Sequence, residues 1–592
     1  MTSRIEDYAM IGDCKTAALV GLDGSIDWLC LPRFDSASCF GSLVGTEEHG
    51  VWRLAPVDKV RRVSRSYLDG SLILRTEFET NTGKVQLTDF MPINQEGSHV
   101  VRLVRGLRGT VRFRLKLVVR FGYGITVPWA DQLDPRTLVL IAGPDMLVLR
   151  SAIDLDGEDK QTTGDFAVSK DDCFPFVLSY GLSHLEHPPA LDVDDVYRET
   201  KTFWTEWSGR CTEAGRWTAA AKRSLITLKG LSYLPTGGIA AAVTTSLPEQ
   251  IGGGRNWDYR YCWLRDAAFA LLAFHNAGYS EEVLSFRDWL LRAVAGNPEQ
   301  IQIMYGVGGE RRLDETELPW LPGYEGSAPV RVGNAAAKQS QLDVFGELLG
   351  AVTFAMKGGL APVRRSPKLR SVILDHLEQI WTEPDCGIWE IRGRAQHFTL
   401  SKVMAWVAFD RAARSDRVTE DKADREHYRA IADEIHADIC KNAVDRQRNC
   451  FTQAYGVHHM DAGLLLIAII GFLPPDDERI RNTVTEIERR LLVDGLVLRY
   501  ETESGIDSLP PGEGAFLACS FWLVDNYILQ NRPEDAEALF DRLVGLSNDV
   551  GLLAEEYDPV AKRHLGNFPQ ALSHTAMVNS AFALARAGNG TP

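Results

Sequence analysis

The chain alternates between two kinds of helical segment from about residue 213 to its end, and this alternation constrains the fold most. Odd-numbered segments, such as 421–444, are charged and carry one apolar stripe, which is typical of a surface helix. Even-numbered segments, such as 462–473, are apolar on nearly all sides and therefore predict buried helices. Six of each predict an inner and an outer ring, which is an (α/α)6 barrel. The predicted helices span 213–231, 264–278, 281–296, 334–356, 366–382, 399–416, 422–445, 460–472, 477–492, 512–530, 533–547 and 568–587.

In such a barrel, all loops that enter inner helices open at the same end. The loops into even-numbered helices carry aromatic residues and carboxylates, whereas most loops into odd-numbered helices are short or merely polar. We therefore expect a functional pocket on one rim of the barrel. The segments concerned are 255–270, 322–334, 386–397, 451–459, 499–513 and 554–569.

The N-terminal third has a different pattern, in which apolar and polar residues alternate over short stretches separated by turn signals. This predicts an antiparallel β-sandwich. The charged stretch that follows carries Trp204 and Trp207 three residues apart, as expected for a linker helix. The predicted fold class is therefore multidomain β + α. Its parts are a β-sandwich over 1–190, a linker helix over 191–212 and an (α/α)6 barrel over 213–592.

Composition excludes several classes of function. The net charge of −16 argues against nucleic acid, which needs a basic surface. The longest apolar run, 462–473, is too short to span a membrane, and the N-terminus has no secretory pattern. Ten cysteines without a CxxC pair indicate reduced thiols and a cytoplasmic protein. No histidine or cysteine set has metal-ligand spacing, so no metal site is predicted.

The stretch 255–270, RNWDYRYCWLRDAAFA, concentrates aromatic rings beside fixed charges. Such a combination suits a sugar, whose C–H faces stack on rings and whose hydroxyls need donors and acceptors. The alternative is an aromatic corner of the core with two ion pairs. The density of both features favours a polar pocket lined with aromatic residues.

Cleavage of a glycosidic bond needs two carboxyl groups, one protonated as the acid and one ionised. Glu390 directly follows Trp389, and apolar neighbours would raise its pKa and keep it protonated. The alternative for Glu390 is a helix-capping or salt-bridged glutamate. Glu555 and Glu556 are adjacent, so at most one should face the pocket, and a solvated acidic pair is the alternative.

Five separated motifs resemble glycoside hydrolase family 15, which contains glucoamylases and bacterial trehalases. They are WDYRYCWLRD, GYEGSAPVRVGN, GIWEIRG, HFTLSKVMAW and AEEYD with LGNFPQALSH. The N-terminal IGDCKTAALVGLDGSIDWLCLPRFDSASCF resembles the N-terminal domain of the family's trehalase-like members. The resemblance covers nearly the whole chain. It implies a β-sandwich followed by an (α/α)6 barrel, hydrolysis with inversion and no organic cofactor, while a dependence on phosphate or magnesium stays open.

The resemblance also implies site residues. Glu390 matches the general acid and Glu555 the general base. Arg265 and Asp266 match the pair that binds hydroxyls of the terminal glucose. The remaining implied substrate-binding residues are Tyr259, Trp263, Tyr324, Trp389 and Arg499. Fungal glucoamylases have a tryptophan where this chain has Ala328, which argues against starch-like substrates.

We therefore predict an exo-acting, inverting α-glucoside hydrolase that releases glucose from a small α-glucoside, with α,α-trehalose first. The alternatives are a glucoamylase, an isomaltose-specific or other glucohydrolase of the same family, a disaccharide phosphorylase, and a non-catalytic sugar-binding protein. Glu555 argues against a phosphorylase, which would lack the second catalytic carboxylate. Inversion predicts carboxyl groups roughly 6.5–9.5 Å apart in Glu390 and Glu555. The expected partner is a small oligosaccharide, and the oligomeric state stays open.

The segment 26–40 is irregular and aromatic, and it carries Trp28, Arg33, Phe34 and Asp35. One hypothesis is that it projects onto the barrel rim and narrows the pocket to the size of a disaccharide. The other is that Trp28 and Phe34 pack the interface between the two domains.

Overall fold

The structure is a computed structural model that describes residues 3–357, 366–414 and 422–588. Its N-terminal part is built almost wholly of β-strands, as the alternating pattern predicts. The strands are β1 (Tyr8–Gly12), β2 (Ala17–Gly21), β3 (Ser25–Cys30), β4 (Ser38–Phe40), β5 (Val51–Pro56), β6 (Val60–Tyr67), β7 (Leu74–Thr80), β8 (Gly83–Phe90), β9 (His99–Val118), β10 (Trp129–Asp134), β11 (Thr137–Ala142), β12 (Asp145–Ser151), β13 (Asp156–Glu158), β14 (Gln161–Ser169) and β15 (Cys173–Leu182).

The strands form two antiparallel layers that share β9. The C-terminal half of β9 lies between β5 and β14, and its N-terminal half lies between β8 and β15. The strand changes layers near Gly106, where a Cβ would lie 2.0 Å from the Ser169 carbonyl oxygen, so only glycine fits. Residues along β7 are alternately buried and half-buried, as in a strand with one face on the core. The predicted β-sandwich is confirmed.

Helix α1 (Val193–Ser208) connects the sandwich to the helical part. On one side, the Ile93 amide donates to Thr200 Oγ1 at 3.3 Å. On the other side, the Trp207 ring stacks on Tyr279 at 4.2 Å, and its indole donates to Glu282 Oε1 at 2.6 Å. The helix is therefore packed between the two domains and does not span open solvent.

Twelve further α-helices, α2 to α13, follow α1 in the described chain. α3, α5, α7, α9, α11 and α13 contact one another in sequence, and α13 returns to α3, so that they close an inner ring. The other six helices lie outside this ring, giving the predicted (α/α)6 barrel. The helices are α2 (Thr218–Leu231), α3 (Leu264–Asn276), α4 (Ser280–Ala293), α5 (Asp343–Lys357), α6 (Ser366–Ile380), α7 (Thr399–Ala413), α8 (Lys422–Asn442), α9 (Leu466–Ile470), α10 (Glu478–Arg490), α11 (Leu517–Leu529), α12 (Pro533–Val544) and α13 (Ala571–Gly588).

Burial follows the predicted alternation. The inner helix α11 buries ten of its thirteen residues, whereas the outer helix α10 buries four, all on one stripe. A helix buried on all sides needs apolar residues around its whole circumference, and a helix on the outer ring needs only one stripe. Among the described residues, we find no helix whose length and apolarity would let it cross a bilayer.

Three inner helices, α5, α9 and α11, begin at least five residues later than predicted, and in α5 and α9 a polar residue caps a short 3-10 turn ahead of the helix. The Asn334 side chain accepts from the Ala336 amide and caps a short 3-10 turn, so α5 begins at residue 343 and not at 334. In the same way, the Asp461 side chain accepts from the Gly463 amide and caps the 3-10 turn before α9. At its other end, α9 stops after five residues at Gly471, whose φ is 84°. α11 begins at residue 517 and not at 512. These turns lie on the rim that carries the pocket.

Short strand pairs connect the loops of the barrel. The last set joins the loop into α11 to the loop into α13 and thereby holds Glu556 in a strand. The pairs are β16 (Ser232–Tyr233) with β17 (Gly238–Ile239), β18 (Cys262–Trp263) with β19 (Met304–Tyr305), β20 (Thr316–Glu317) with β21 (Arg331–Val332), β22 (Val444–Asp445) with β23 (Cys450–Phe451), β24 (Leu492–Val493) with β25 (Leu496–Val497), and β26 (Ala515–Phe516) with β27 (Glu556–Asp558) and β28 (Arg563–Leu565).

Candidate active site

A pocket lined by both charged and aromatic side chains opens on the barrel rim. Its walls come from the loops that enter the inner helices α3, α5, α7 and α11, as the helix alternation predicts. The lining residues are Glu249, Arg255, Trp257, Tyr259, Arg265, Asn334, Trp389, Glu390, Ile391, Arg392, Arg499, Tyr500, Asp507, Leu509 and Phe516.

Glu390 lies on the loop between α6 and α7 and lines the pocket. Its Oε1 accepts from the Trp263 indole at 2.6 Å and lies 3.5 Å from Arg265 Nη1. Burial raises the pKa of Glu390, while Arg265 and the Trp263 donor oppose that rise. The φ of Glu390 is 57°, a left-handed conformation that is uncommon for a residue with a side chain. The loop therefore holds a carboxyl group with a raised pKa on a strained backbone, a combination that often occurs at functional sites.

Glu390 forms an ion pair with Arg265, whereas Arg392, two residues further along the chain, pairs with another residue. Arg392 pairs with Glu315 at 2.7 Å, and its guanidinium stacks 3.8 Å from the centre of the Trp257 ring. The cation beside Glu390 is instead Arg265. Arg392 and Trp257 thus form part of the pocket wall.

Glu555 is fully buried beside the pocket, in the loop that leads to α13. Its Oε2 accepts from the Asn567 amide at 3.0 Å, whereas its Oε1 has no hydrogen-bond partner among the described residues. Burial raises the pKa of Glu555, and the nearby Tyr259 hydroxyl and Arg499 charge oppose the rise. The charge of Glu390 adds to the rise, so the two carboxyl groups influence each other. The unpartnered oxygen is suited to accept a hydrogen bond from water.

Glu556 points to different partners from Glu555, as expected for adjacent glutamates. Its Oε2 accepts from the Gly514 amide at 2.8 Å, and its Oε1 lies 3.6 Å from Arg499 Nη2. Burial and the neighbouring carboxylates, Glu249 first, raise its pKa well above the ordinary value. Neither glutamate is a solvated surface residue, because both are fully buried.

Three carboxylates surround one arginine at the back of the pocket. Ligand oxygens of Glu249, Glu513 and Glu556 lie within 4.8 Å of one another, a spacing that could hold a metal ion. Arg499 already supplies positive charge there. Its Nε and Nη2 donate to the two oxygens of Glu513 at 3.0 and 2.7 Å, and Nη2 also donates to Glu249.

A second arginine–carboxylate pair lies at the start of α3. Arg265 Nε donates to Asp266 Oδ1 at 2.9 Å, and Arg265 Nη1 donates to the Ile388 carbonyl at 2.7 Å. The loop into α9 contributes through Asp461, which accepts from the Trp389 indole at 2.8 Å and so holds that ring at the pocket. The Tyr259 and Trp263 rings pack 5.0 Å apart beside them.

The structure brings together eight of the nine site residues expected from the sequence, which are Glu390, Glu555, Tyr259, Trp263, Arg265, Asp266, Trp389 and Arg499. Tyr324 is the exception, and its role in substrate binding stays a prediction. Its hydroxyl donates to the Ser3 carbonyl at 2.8 Å and accepts from Arg563, which also pairs with Glu325. These contacts direct the ring toward the N-terminus, outside the set of pocket-lining residues.

None of the residues that line the pocket comes from the segment 26–40, and that the segment narrows the cleft stays a prediction. Trp28 is fully buried and donates to the Val243 carbonyl of the barrel at 2.7 Å, and Phe34 is buried too. Arg33 pairs with Glu310 of the barrel at 2.7 Å. The segment packs the interface between the domains, which was the alternative hypothesis.

Several pocket residues escaped the sequence prediction. Arg255 and Trp257 lie in the aromatic stretch 255–270, and Tyr500 and Asp507 lie in the rim segment 499–513, so their positions carried a signal. Glu249 lies just before those stretches, and no motif pointed to it.

Comparison with known proteins agrees with this geometry. The family model for glycosyl hydrolases family 15 matches residues 215–582, and the model for a trehalase-like N-terminal domain matches residues 1–204. A trehalase of Mycobacterium tuberculosis is 38% identical over 98% of this chain and 90% of its own length. A trehalase of Thermoplasma volcanium is 32% identical over 98% of this chain and 93% of its own length.

Among solved structures, a bacterial glucoamylase complexed with acarbose superposes with a TM-score of 0.76. It covers 100% of this chain and 95% of its own, at 13% identity, which supports the two-part fold. The family model covers more than half of the chain, and relatives above 30% identity align over nearly all of it. The chain therefore belongs to glycosyl hydrolases family 15 and is a glycoside hydrolase.

Proposed function

We propose that the protein hydrolyses α,α-trehalose to two glucose molecules, with inversion at the attacked anomeric carbon. The observation that carries the proposal is the pair of buried carboxyl groups of Glu390 and Glu555 beside one pocket. Glu390 is hydrogen-bonded to an indole, and Glu555 has an oxygen without a hydrogen-bond partner among the described residues. The full-length relatives that are named trehalase support this choice of substrate.

In the proposed reaction, Glu390 gives its proton to the glycosidic oxygen as the bond to the anomeric carbon breaks. Glu555 takes a proton from a water molecule, whose oxygen bonds to that carbon from the opposite face. The products are one β-glucose and one α-glucose, and both carboxyl groups then exchange a proton with solvent. Burial raises the pKa of Glu390, which favours the protonated form that this role needs.

Arg265 and Asp266 hold the glucose that is attacked. Asp266 Oδ1 accepts a hydrogen bond from Arg265, whereas Asp266 Oδ2 is buried without a hydrogen-bond partner among the described residues. A sugar hydroxyl would satisfy that oxygen, and the guanidinium would donate to a neighbouring hydroxyl. Because Arg265 also lies beside Glu390, the pair places the glucose next to the acid.

The test is to incubate the protein with trehalose, kojibiose, isomaltose, maltose and maltotriose, each with and without phosphate and magnesium. We expect trehalose to be cleaved with the highest kcat/KM, and NMR to show β-glucose and α-glucose appearing in equal amounts before they mutarotate. Preference for maltotriose would indicate a glucoamylase, and glucose 1-phosphate among the products would indicate a phosphorylase. Binding without cleavage would indicate a sugar-binding protein. Each of these three results contradicts the proposal.

We further propose that the sandwich extends over 1–190, the linker over 191–212 and the barrel over 213–592. The last sandwich strand ends at Leu182, and α1 and α2 begin at Val193 and Thr218, which supports these limits. We also propose a cytoplasmic location. All ten cysteines are free thiols, as is usual in a reducing compartment.

A further inference from the structure

The pocket holds two arginine–carboxylate pairs of the same design. In the first, Arg265 binds one oxygen of Asp266, and in the second, Arg499 binds one oxygen of Glu249. In both carboxylates, the other oxygen is buried and has no hydrogen-bond partner among the described residues. Leaving such a buried oxygen unpaired is unfavourable, so a ligand hydroxyl that reaches it is bound favourably.

We propose that Glu249, together with Arg499, binds hydroxyls of the second glucose of trehalose, the ring that leaves. The inference rests on the proposed function, because trehalose consists of two identical glucose rings. A site specific for this disaccharide needs donors and acceptors for both rings. The pair Arg265–Asp266 serves the first ring, and the pair Arg499–Glu249 offers the same donor and acceptor to the second.

The loop that carries Glu390 contacts both pairs. The Ile388 carbonyl accepts from Arg265 at 2.7 Å, and the Trp389 ring centre lies 5.9 Å from the Arg499 guanidinium. Glu390 follows these two residues directly. The proposed acid therefore lies on a loop between the two pairs, as it must if it protonates the oxygen that links the two rings.

Glu249 is held rigidly at its place on the pocket wall. Its amide donates to the Arg255 carbonyl at 3.1 Å, and its carbonyl accepts from the Gly514 amide at 3.0 Å. The loop is thereby tied on one side to the stretch before α3 and on the other to the stretch before α11. A hydroxyl-binding atom on such a support is preorganised and loses little freedom when the sugar binds.

The protonation state of Glu249 suits a hydroxyl. Burial raises the pKa of this carboxyl to about 8, and the charge of Arg499 only partly opposes the rise. The group is therefore mostly protonated at neutral pH. With Arg499 on one oxygen, the other can both donate to and accept from a sugar hydroxyl.

The test compares two substrates of the full-length protein. Trehalose places a second glucose in the pocket, whereas α-glucosyl fluoride carries the same first ring with fluoride in place of the second. We expect Glu249→Ala to lower kcat/KM for trehalose by about 10- to 100-fold, the loss of one or two hydroxyl contacts. We expect Glu249→Ala to lower kcat/KM for α-glucosyl fluoride by a clearly smaller factor than for trehalose, because the contacts to the first ring remain.

Asp266→Asn is the matched control, because it alters the corresponding carboxylate of the first pair. It should lower kcat/KM for both substrates by similar factors. If Glu249→Ala also lowers both equally, or lowers neither, the proposal is wrong. The Glu249→Gln variant keeps the size of the side chain and should show the same selectivity with a smaller loss. It decides the matter if thermal melting shows that the alanine variant does not fold.

The wild-type measurement separates this inference from the proposed function. If wild-type protein cleaves trehalose poorly but cleaves another α-glucoside well, the proposed function fails, and the second-ring assignment fails with it. If wild-type protein cleaves trehalose well and the Glu249 variants lose no selectivity, only the assignment of Glu249 fails.

Discussion

Glu390 and Glu555 are the same residue type at one pocket, yet their surroundings differ. Glu390 has an indole donor and one arginine at its oxygen. Glu555 has a backbone amide on one oxygen and none of the described groups on the other, and it lies near the carboxylate cluster around Arg499. The first setting suits the proposed acid, because burial raises its pKa, and the second leaves an oxygen without a described partner, as the proposed base needs.

The comparison shows how a fold can assign two roles to one residue type. Burial raises the pKa of both carboxyl groups, so burial alone cannot separate an acid from a base. A difference between the pKa values of the two carboxyl groups must therefore come from the charged and hydrogen-bonding groups around each of them. Near Glu555, the charge of Arg499 opposes the rise of its pKa and so favours its ionised form.

The largest effect should come from neutralising each of the two carboxyl groups, which tests their different proposed roles. We expect Glu390→Gln and Glu555→Gln each to lower kcat for trehalose by about 10²–10⁴-fold or more, the usual contribution of a general acid or base. On α-glucosyl fluoride, the Glu390 variant should recover much of the loss, because fluoride leaves without a proton. The Glu555 variant should not recover, because water must still be activated.

The matched control for this experiment is Glu556→Gln, next to Glu555 in the chain. One oxygen of Glu556 accepts from the Gly514 amide, and the glutamine amide oxygen can still accept that bond, so this variant should cost less than about tenfold. Near-normal trehalose hydrolysis by the Glu555 variant would contradict the assignment of the base. A retained fold, checked by circular dichroism, is required in all three variants.

A second change tests the arginine beside the proposed acid. Arg265 contacts Asp266, the Ile388 carbonyl and Glu390, and a lysine keeps the charge but cannot make these contacts together. We expect Arg265→Lys to lower kcat/KM by about 10- to 100-fold, from lost contacts of about 1–3 kcal/mol. Unchanged kcat/KM for both trehalose and α-glucosyl fluoride would show that the guanidinium fork is not needed.

A third change tests how Arg499 affects the ionisation of Glu555, the proposed base. Arg499 lowers the pKa of Glu555, so removing its charge should raise that pKa. Because the base must be ionised, the acidic limb of kcat/KM against pH should move to higher pH in Arg499→Gln. Arg499→Lys keeps the charge and should leave this limb closer to that of the wild type. Equal acidic limbs in the wild type and the glutamine variant would contradict the argument.

The smallest expected effect concerns the indole donor to Glu390. Trp263→Phe keeps an aromatic ring but removes the hydrogen bond that stabilises the ionised carboxylate. The pKa of Glu390 should rise, so the basic limb of the pH profile should move to higher pH, with less than about a tenfold loss at the optimum. A basic limb that moves to lower pH would mean that the indole favours the protonated form.

The predicted spacing of the two carboxyl groups, roughly 6.5–9.5 Å, stays a prediction. A structure with bound substrate analogue would measure it together with the position of the attacking water. A spacing near 5 Å would indicate a retaining enzyme and contradict the proposed inversion.

Local sequence determined most of the architecture of this protein. The sequence of each helical segment shows whether its apolar residues lie on one stripe or on all sides. Inner and outer helices could therefore be assigned before any contact was known. The same alternation predicted the rim that carries Glu390 and Arg499. Helix starts were less accurate, as at α5, because the cap at Asn334 competes with an apolar pattern that continues through it.

Only the tertiary structure decided which polar groups meet. Glu249, Arg499 and Glu556 are far apart in the chain, and no periodicity could show that they share one buried cluster. Tyr324 belongs to a rim segment but turns toward Ser3, because its hydroxyl finds partners there. The physical reason is the range of the interactions. Apolar burial selects the elements from short patterns, whereas the ionisation and pairing of each carboxylate depend on neighbours that only folding brings close.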